Sequence, residues 1–272
     1  MDNVIASDVD GTLAFGEKSH GIRVLEENDK TYVVTTPDSS TTHQAYSVST
    51  DKYKVYLALE TRSLLRTLAG RHDIVLATAA RPSTVYTRRE SFDFVKTVVL
   101  ENGGMILDSN YEIDRGWEAE LEPQRKYLRE VQAQLEGKGW VLDHEGRTSA
   151  LRVRPRDNPH KGEDEFEELR REIQLPFELK KTANFGCLDI ILEGAGKENA
   201  LRYLFDREGY TETRGIGDDI NDMSFLDITN ERFVLRNAEQ EVLDLARKRE
   251  WFVSKKPYFE GINEILQHIL MS

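Results

Sequence analysis

Apolar residues at the start of this 272-residue chain gather into short runs that end abruptly at turn-forming polar residues. Val4-Ile5-Ala6 stops at Ser7-Asp8-Val9-Asp10-Gly11-Thr12, and Asp73-Ile74-Val75-Leu76-Ala77 stops at Thr78. A short unbroken apolar run bounded in this way predicts a strand buried on both faces. Thr97-Val98-Val99-Leu100, closed by Asn102-Gly103-Gly104, predicts a third. Arg214-Gly215-Ile216-Gly217, Phe233-Val234-Leu235 and Trp251-Phe252-Val253 predict three more. Between the first two runs, Leu57, Leu64, Leu65 and Leu68 follow helical spacing. Strands separated by helices imply βαβ units, so the expected class is α/β, with a mostly parallel sheet and helices on both faces.

Two stretches break this rhythm. Residues 23–55 are rich in Thr, Ser, Val and Tyr, with Pro37-Asp38-Ser39-Ser40 as a turn between Tyr32-Val33-Val34-Thr35-Thr36 and Tyr46-Ser47-Val48-Ser49. They predict a β-hairpin or small β flap. It is either an enlarged flap near a site or a peripheral β decoration. In the other stretch, 121–135 has helical periodicity, and Trp140-Val141-Leu142 and Leu151-Arg152-Val153-Arg154 read as strands. A charged helix over 163–173 precedes strand-like Phe177-Glu178-Leu179-Lys180 and Leu188-Asp189-Ile190-Ile191-Leu192. This αββαββ order predicts an inserted α+β domain at 116–192, dividing a core of 1–115 and 193–272.

Charge narrows the partners. The chain carries 37 basic and 49 acidic side chains, a formal −12 with a pI near 5.1. That excess speaks against nucleic acid, whose phosphates need a basic face. No apolar run approaches the roughly 18 residues of a membrane span. Met1-Asp2-Asn3-Val4 has an acid where a secretory leader has basic residues. A single cysteine, Cys187, precludes an internal disulfide and reads as a small core residue. A cytoplasmic protein is expected, and its oligomeric state is left open.

The chemistry gathers where a parallel sheet ends its strands, because ligands of open α/β sheets bind outside those carboxyl ends. Asp8, Asp10, Thr78, Lys197, Asp218 and Asp222 all fall there. Four carboxylates packed together repel, and a hard oxygen environment favours Mg²⁺ as the cation that stabilises them. In Asp8-Val9-Asp10-Gly11-Thr12-Leu13, an extended spacing of two puts both carboxyls on one side, one to attack and one to move protons. Gly11 lets the backbone turn so that N–H groups face a phosphoryl oxygen. The plainer alternative is a polar turn; an EF-hand fails, since Leu13 and Ser19 stand where Gly and Glu are required.

In Gly217-Asp218-Asp219-Ile220-Asn221-Asp222, Asp218 is a candidate metal ligand, with Asn221 and Asp222 orienting it or holding the lysine; a solvated acidic loop is the alternative. Gly194-Ala195-Gly196-Lys197-Glu198-Asn199 fits neither a P-loop nor a dinucleotide fingerprint. Arg152, Arg154, Lys180 and Lys181 are candidates to meet an anionic or polyhydroxyl substrate, although a plain solvated sheet face is the favoured reading.

Taken in order, Asp8 to Leu13, Thr78 to Arg81, Lys197 and Gly217 to Asp222 resemble the haloacid dehalogenase (HAD) superfamily of phosphatases. The αββαββ insertion resembles its type IIB cap, found in Cof-like and sucrose-phosphate phosphatases. The resemblance implies a Rossmann-like core and an Mg²⁺-dependent phosphomonoester hydrolase acting on a small phosphorylated metabolite, expected to be a sugar or sugar-acid phosphate. It implies that Asp8 attacks phosphorus to form an aspartyl-phosphate, and that Asp10 protonates the leaving alcohol and then activates water. Thr78 and Lys197 would hold the phosphoryl oxygens, and Gly11, Thr12, Ala79, Arg81 and Asn102 would line the substrate. Mg²⁺ would rest on Asp8, the Asp10 backbone carbonyl and Asp218, supported by Asn221 and Asp222. A sugar phosphomutase and a non-catalytic phosphosugar-binding protein are the alternatives. One departure stands out: the family's second motif reads Thr-Gly-Arg, whereas Thr78-Ala79-Ala80-Arg81 sets the arginine one residue further on.

Overall fold

The computed structural model describes residues 2–28, 31–37, 39, 41–49, 53–144, 146–184 and 186–272. Its centre is a seven-stranded sheet in the order Phe252–Val253, Glu231–Val234, Glu212–Gly217, Asn3–Ser7, Asp73–Ala77, Thr97–Leu100, Met105–Leu107. All neighbours are parallel except the last pair. Asn3–Ser7 lies in the middle, with Ile5 opposite Arg214 on one side and Ile74 on the other. Because side chains alternate along a strand, Val4 and Ala6 enter one apolar cluster and Ile5 the other.

The first cluster packs against helices Lys197–Glu208, Met223–Leu226 and Gln240–Lys248, through Leu201, Leu204, Phe225 and Val242. The second packs against Leu59–Leu68 and Tyr258–Met271, through Leu65, Phe259 and Ile262. Burial on both faces is why the strand is an unbroken apolar run.

The stretch read as a hairpin is larger than expected. It is a five-stranded antiparallel sheet ordered Phe15–Gly16, Val55–Ala58, Thr42–Ser47, Thr31–Thr35, Arg23–Asn28. Leu57, counted above as the start of a helix, sits in a strand whose four residues are all buried. An apolar strand covered on both faces has no alternation to set it apart from a helix beginning two residues later. The sheet packs on the C-terminal helix, where Phe15 meets Phe259 edge to face at 4.9 Å. Of the expected turn Pro37-Asp38-Ser39-Ser40, Asp38 and Ser40 lie outside the described residues.

The α+β insertion has helices Arg115–Leu121, Arg125–Gly137 and Gly162–Glu172, and a four-stranded antiparallel sheet ordered Leu142–Asp143, Ala150–Val153, Cys187–Leu192, Leu179–Asn184. Phe177, expected in the last-named strand, precedes it and is exposed. Leu151, Val153, Leu188 and Ile190 share a buried apolar cluster with Leu128, Val131 and Phe166 of the helices. The alternate residues Arg152 and Asp189, directly paired across the strands, occupy the opposite face.

A close backbone contact seats the start of helix Lys197–Glu208 against the turn after strand Thr97–Leu100. Gly103 has φ +88°, and a Cβ there would overlap the main chain of Gly196, directly before Lys197. We predict that Gly103→Ala lowers unfolding stability by about 3 kcal/mol or more, read by urea denaturation. An unchanged midpoint would show that these two glycines are not held together.

Candidate active site

Two neighbouring strand ends bring the acids together. Ser7 pairs with Ile216, and Asp8 N–H donates to the Ile216 carbonyl, so Asp8 emerges beside Asp218. After Asp8 the chain curls on itself: Leu13 and Ala14 N–H donate to the Val9 carbonyl and Gly11 N–H to Ala14. Gly11 lies at φ +106°, and a Cβ there would run into the Asp218 carboxylate. Any other residue would be strained and would push that acid away. The Thr12 hydroxyl donates to Asp218 Oδ1.

Lys197, the first residue of its helix, reaches between two of these acids. Its Nζ lies 2.6 Å from Asp8 Oδ1 and 2.7 Å from Asp222 Oδ1, with only 5% of its side chain exposed. The other Asp222 oxygen accepts the N–H groups of Asp218 and Asp219, so this fully buried carboxylate organises the loop and the lysine together. Burial alone would push the ammonium down, but Asp222 and Asp8 outweigh it and hold Lys197 above the usual lysine range. Burial raises the Asp8 carboxyl to about 8 against the pull of Lys197, with Asp222 and Asp10 adding to the rise. Asp218 lies well above the ordinary carboxylate range, through burial and then repulsion from Asp8 and Asp222. One oxygen from each of Asp8, Asp218 and Asp222 falls within 4.8 Å of the others.

The remaining residues singled out in the sequence are distributed differently. Thr78 is buried beside the cluster's strands, and its hydroxyl accepts the Ala80 N–H at 3.1 Å. Asp10 stands apart from the three clustered acids, and its Oδ2 accepts a hydrogen bond from Arg88 Nη1 at 2.9 Å. Arg81 turns to the insertion, where its Nη2 lies 2.5 and 2.6 Å from the two oxygens of Asp143. The Ala79 carbonyl accepts from Arg147 at 3.3 Å. Asn102 donates to Asp189 at 3.2 Å, and Asn221 accepts from the Thr182 hydroxyl at 2.9 Å. Asp8, Thr12, Lys197, Asp218 and Asp222 therefore form one cluster, while Ala79, Arg81, Asn102 and Asn221 contact the insertion.

The insertion's polar sheet face is not the solvated surface favoured from sequence. Arg152 forms a two-point pair with Asp189 at 2.6 Å per bond, and Arg154 pairs with Asp143. Both arginine side chains are nearly nine-tenths buried. Lys180 donates to the Glu193 carbonyl, and Lys181 to the last carbonyls of helix Gly162–Glu172. Burial works against the Asp143 charge, but Arg154, Arg81 and Arg147 hold its carboxyl below the usual range. Glu101, fully buried, receives the backbone N–H groups of Thr148 and Ser149 at 3.0 and 2.9 Å.

Arg88, Glu101, Asp143, Arg147 and Asp189 were not singled out from sequence. Asp189 left a signal, a lone acid inside the apolar run Leu188 to Leu192; Arg88 left none, being one of two arginines side by side in a polar helix end.

A family model described as sucrose-6F-phosphate phosphohydrolase matches residues 29–269. A Nitrosococcus oceani protein described as a HAD-like hydrolase is 33% identical over 81 residues, a stretch spanning 28% of this chain and 22% of that relative. Among solved structures, a HAD-like hydrolase from Bacillus subtilis superposes with TM-score 0.66 at 14% identity, over 98% of this chain and 99% of that one. The sucrose-phosphatase of Synechocystis sp., solved with sucrose and phosphate, gives 0.63 at 15% identity, over 98% and 97%. A HAD subclass IIB sugar phosphatase gives 0.61 at 15%, over 99% and 100%. At these identities the structural likenesses establish the fold. The length of the family match, nearly the whole chain, carries the assignment: the protein belongs to the sucrose-6F-phosphate phosphohydrolase family of HAD-like hydrolases.

Proposed function

We propose that this protein is a Mg²⁺-dependent phosphatase that hydrolyses a small phosphomonoester, a sugar phosphate, through an aspartyl-phosphate on Asp8. We take 116–192 as a cap over a core of 1–115 and 193–272. The observation that carries the reading is the buried Lys197 ammonium held between Asp8 and Asp222, with Asp218 alongside. A carboxylate poised as a nucleophile needs its charge damped without being blocked, and one shared lysine does that.

The donor set suits Mg²⁺. Three carboxylates against one ammonium leave two negative charges, the charge of one divalent cation, in a buried all-oxygen setting that otherwise forces protons onto Asp8 and Asp218. Asp8, Asp218 and the Asp10 carbonyl would hold the ion, with Asn221 and Asp222 in support; bound there, it neutralises charge on the transferring phosphoryl group. The protein's own residues do the rest. Asp8 attacks phosphorus as the P–O bond to the alcohol breaks, and Asp10 delivers a proton to the departing oxygen. Asp10 then takes a proton from the water that attacks the aspartyl-phosphate, releasing phosphate and restoring Asp8. Lys197, Thr78 and the loop of Gly11 and Thr12 steady the phosphoryl oxygens, and Ala79, Arg81 and Asn102 face the substrate side. In-line positioning and charge neutralisation are what phosphoryl transfer requires.

Phosphate release from a panel of sugar phosphates and 4-nitrophenyl phosphate tests this reading. Turnover should need Mg²⁺, vanish with EDTA, and fall at least about 10³-fold in Asp8→Asn. Full activity of that variant, or no turnover of any phosphomonoester, would overturn it.

The crowded acids also make a stability prediction. Because the folded-state pKa of Asp8 is raised from 3.8 to about 8, its contribution is fully present below the unfolded value and is lost as pH rises through the folded one. Metal-free protein should therefore lose thermal stability from about pH 4 to about pH 8, and Mg²⁺ should restore it. Asp218→Asn keeps an acceptor for Thr12 and removes an acid crowded by Asp8 and Asp222. It should raise the metal-free Tm at pH 8 by about 2–4 °C and abolish the Mg²⁺ stabilisation, measured by scanning calorimetry.

A further inference from the structure

Arg88 ends the helix Pro82–Arg88 and is 7% exposed. Its guanidinium spans two partners from different parts of the chain. Nε donates to the Val48 carbonyl at 2.9 Å, and Nη1 donates to Asp10 Oδ2 at 2.9 Å. Among the described residues Asp10 is the only carboxylate within ion-pair reach of it. Val9, Leu76, Val85, Phe92 and Val98 line, together with Arg88, a narrow and mostly apolar cavity. Two acceptors on different nitrogens of a planar, mostly buried guanidinium fix its orientation.

Asp10 needs such a hold. The backbone of its loop is fixed by the hydrogen bonds around Val9 and Ala14, but its side chain is 30% exposed and has rotamer freedom of its own. A general acid must lie within hydrogen-bond reach of the atom it protonates, so a carboxylate that rotates away is idle for that part of its time. Arg88 engages one oxygen. Among the described residues no hydrogen bond occupies the other.

We propose that Arg88 is a positioning residue: anchored on the flap-sheet carbonyl of Val48, it aims the Asp10 carboxyl at the oxygen of the departing alcohol. Val48 opens the connection between strands Thr42–Ser47 and Val55–Ala58, and its N–H donates to the Val55 carbonyl at 2.9 Å. The five-stranded sheet thereby acquires a task in the reaction, as the scaffold that fixes the arginine. This rests on the general-acid role proposed for Asp10, and the experiment below separates the two.

The readout is kcat/KM, which reports formation of the aspartyl-phosphate and departure of the leaving group. The probes are 4-nitrophenyl, phenyl and benzyl phosphate, in order of rising leaving-group basicity. Loss of a correctly aimed acid scarcely slows the first and slows the last most. Arg88→Gln should lower kcat/KM by about 3-fold on 4-nitrophenyl phosphate and about 100-fold on benzyl phosphate, and Arg88→Lys should recover about 10-fold of the latter loss.

Asp10→Asn, run alongside, should show the same or a steeper dependence. A uniform loss across the three probes, or no loss, in both Arg88 variants overturns the positioning role while Asp10→Asn keeps its slope. If Asp10→Asn itself loses activity uniformly, the general-acid reading falls and the positioning role falls with it. Should Arg88→Gln fail to fold, the slope in Arg88→Lys decides: steeper than wild type supports the role, unchanged refutes it.

Discussion

A lysine ammonium with almost no access to water must be matched by carboxylates, because an unpaired buried cation costs several kcal/mol. In this protein that requirement organises everything around the site. Lys197 is 189 residues from Asp8 and 25 from Asp222, and it reaches both only if three pieces of chain meet: the end of the first strand, the loop after Glu212–Gly217 and the start of helix Lys197–Glu208. The parallel register that sets Ser7 against Ile216 brings the first two together. The close approach of Gly103 and Gly196 seats the helix start against the turn that follows strand Thr97–Leu100. Asp222 then spends its second oxygen on two backbone N–H groups, so the loop that presents Asp218 and the lysine are locked by one carboxylate.

The insertion shows the same economy of two faces. Its helices cover one side of its sheet with Leu, Ile, Val and Phe; the other side carries Arg152, Arg154, Asp143 and Asp189. Arg81, Asn102 and Glu101, all on loops following core strands, make their polar contacts with residues of the insertion. Charged groups at such a junction are fixed by geometry, where apolar ones would only be buried.

The five-stranded sheet is bound to the core through its inner strands, while its far edge Arg23–Asn28 is mostly exposed. Its edge strand Phe15–Gly16 follows directly from the loop that bears Asp8 and Asp10, and its face packs on the C-terminal helix through Phe15, Tyr56 and Phe259. A short sequence distance thus joins the loop of Asp8 and Asp10 to an antiparallel sheet, and Arg88 adds a second attachment through Val48.

Local chemistry made the central sheet legible from sequence: apolar runs ending in Asp, Thr or Gly-Asp mark strands buried on both faces, and the observed strands fall on those runs. The order of Asp8, Thr78, Lys197 and Asp218 along the chain was enough to recognise the family. The five-stranded sheet was only half legible, because Val55 to Ala58 is covered on both sides and carries no alternation to distinguish it from the helix that follows. Apart from Asp222, one of two residues offered from sequence to hold the lysine, side-chain pairing was not legible. Nothing near Arg88 in sequence names Asp10, and nothing near Arg152 separates a solvated face from one closed by Asp189. Periodicity reports which face of an element is apolar; which charge meets which is decided by the long-range register that folds Arg152 onto Asp189, Arg88 onto Asp10 and Lys197 onto Asp8, pairs 37, 78 and 189 positions apart.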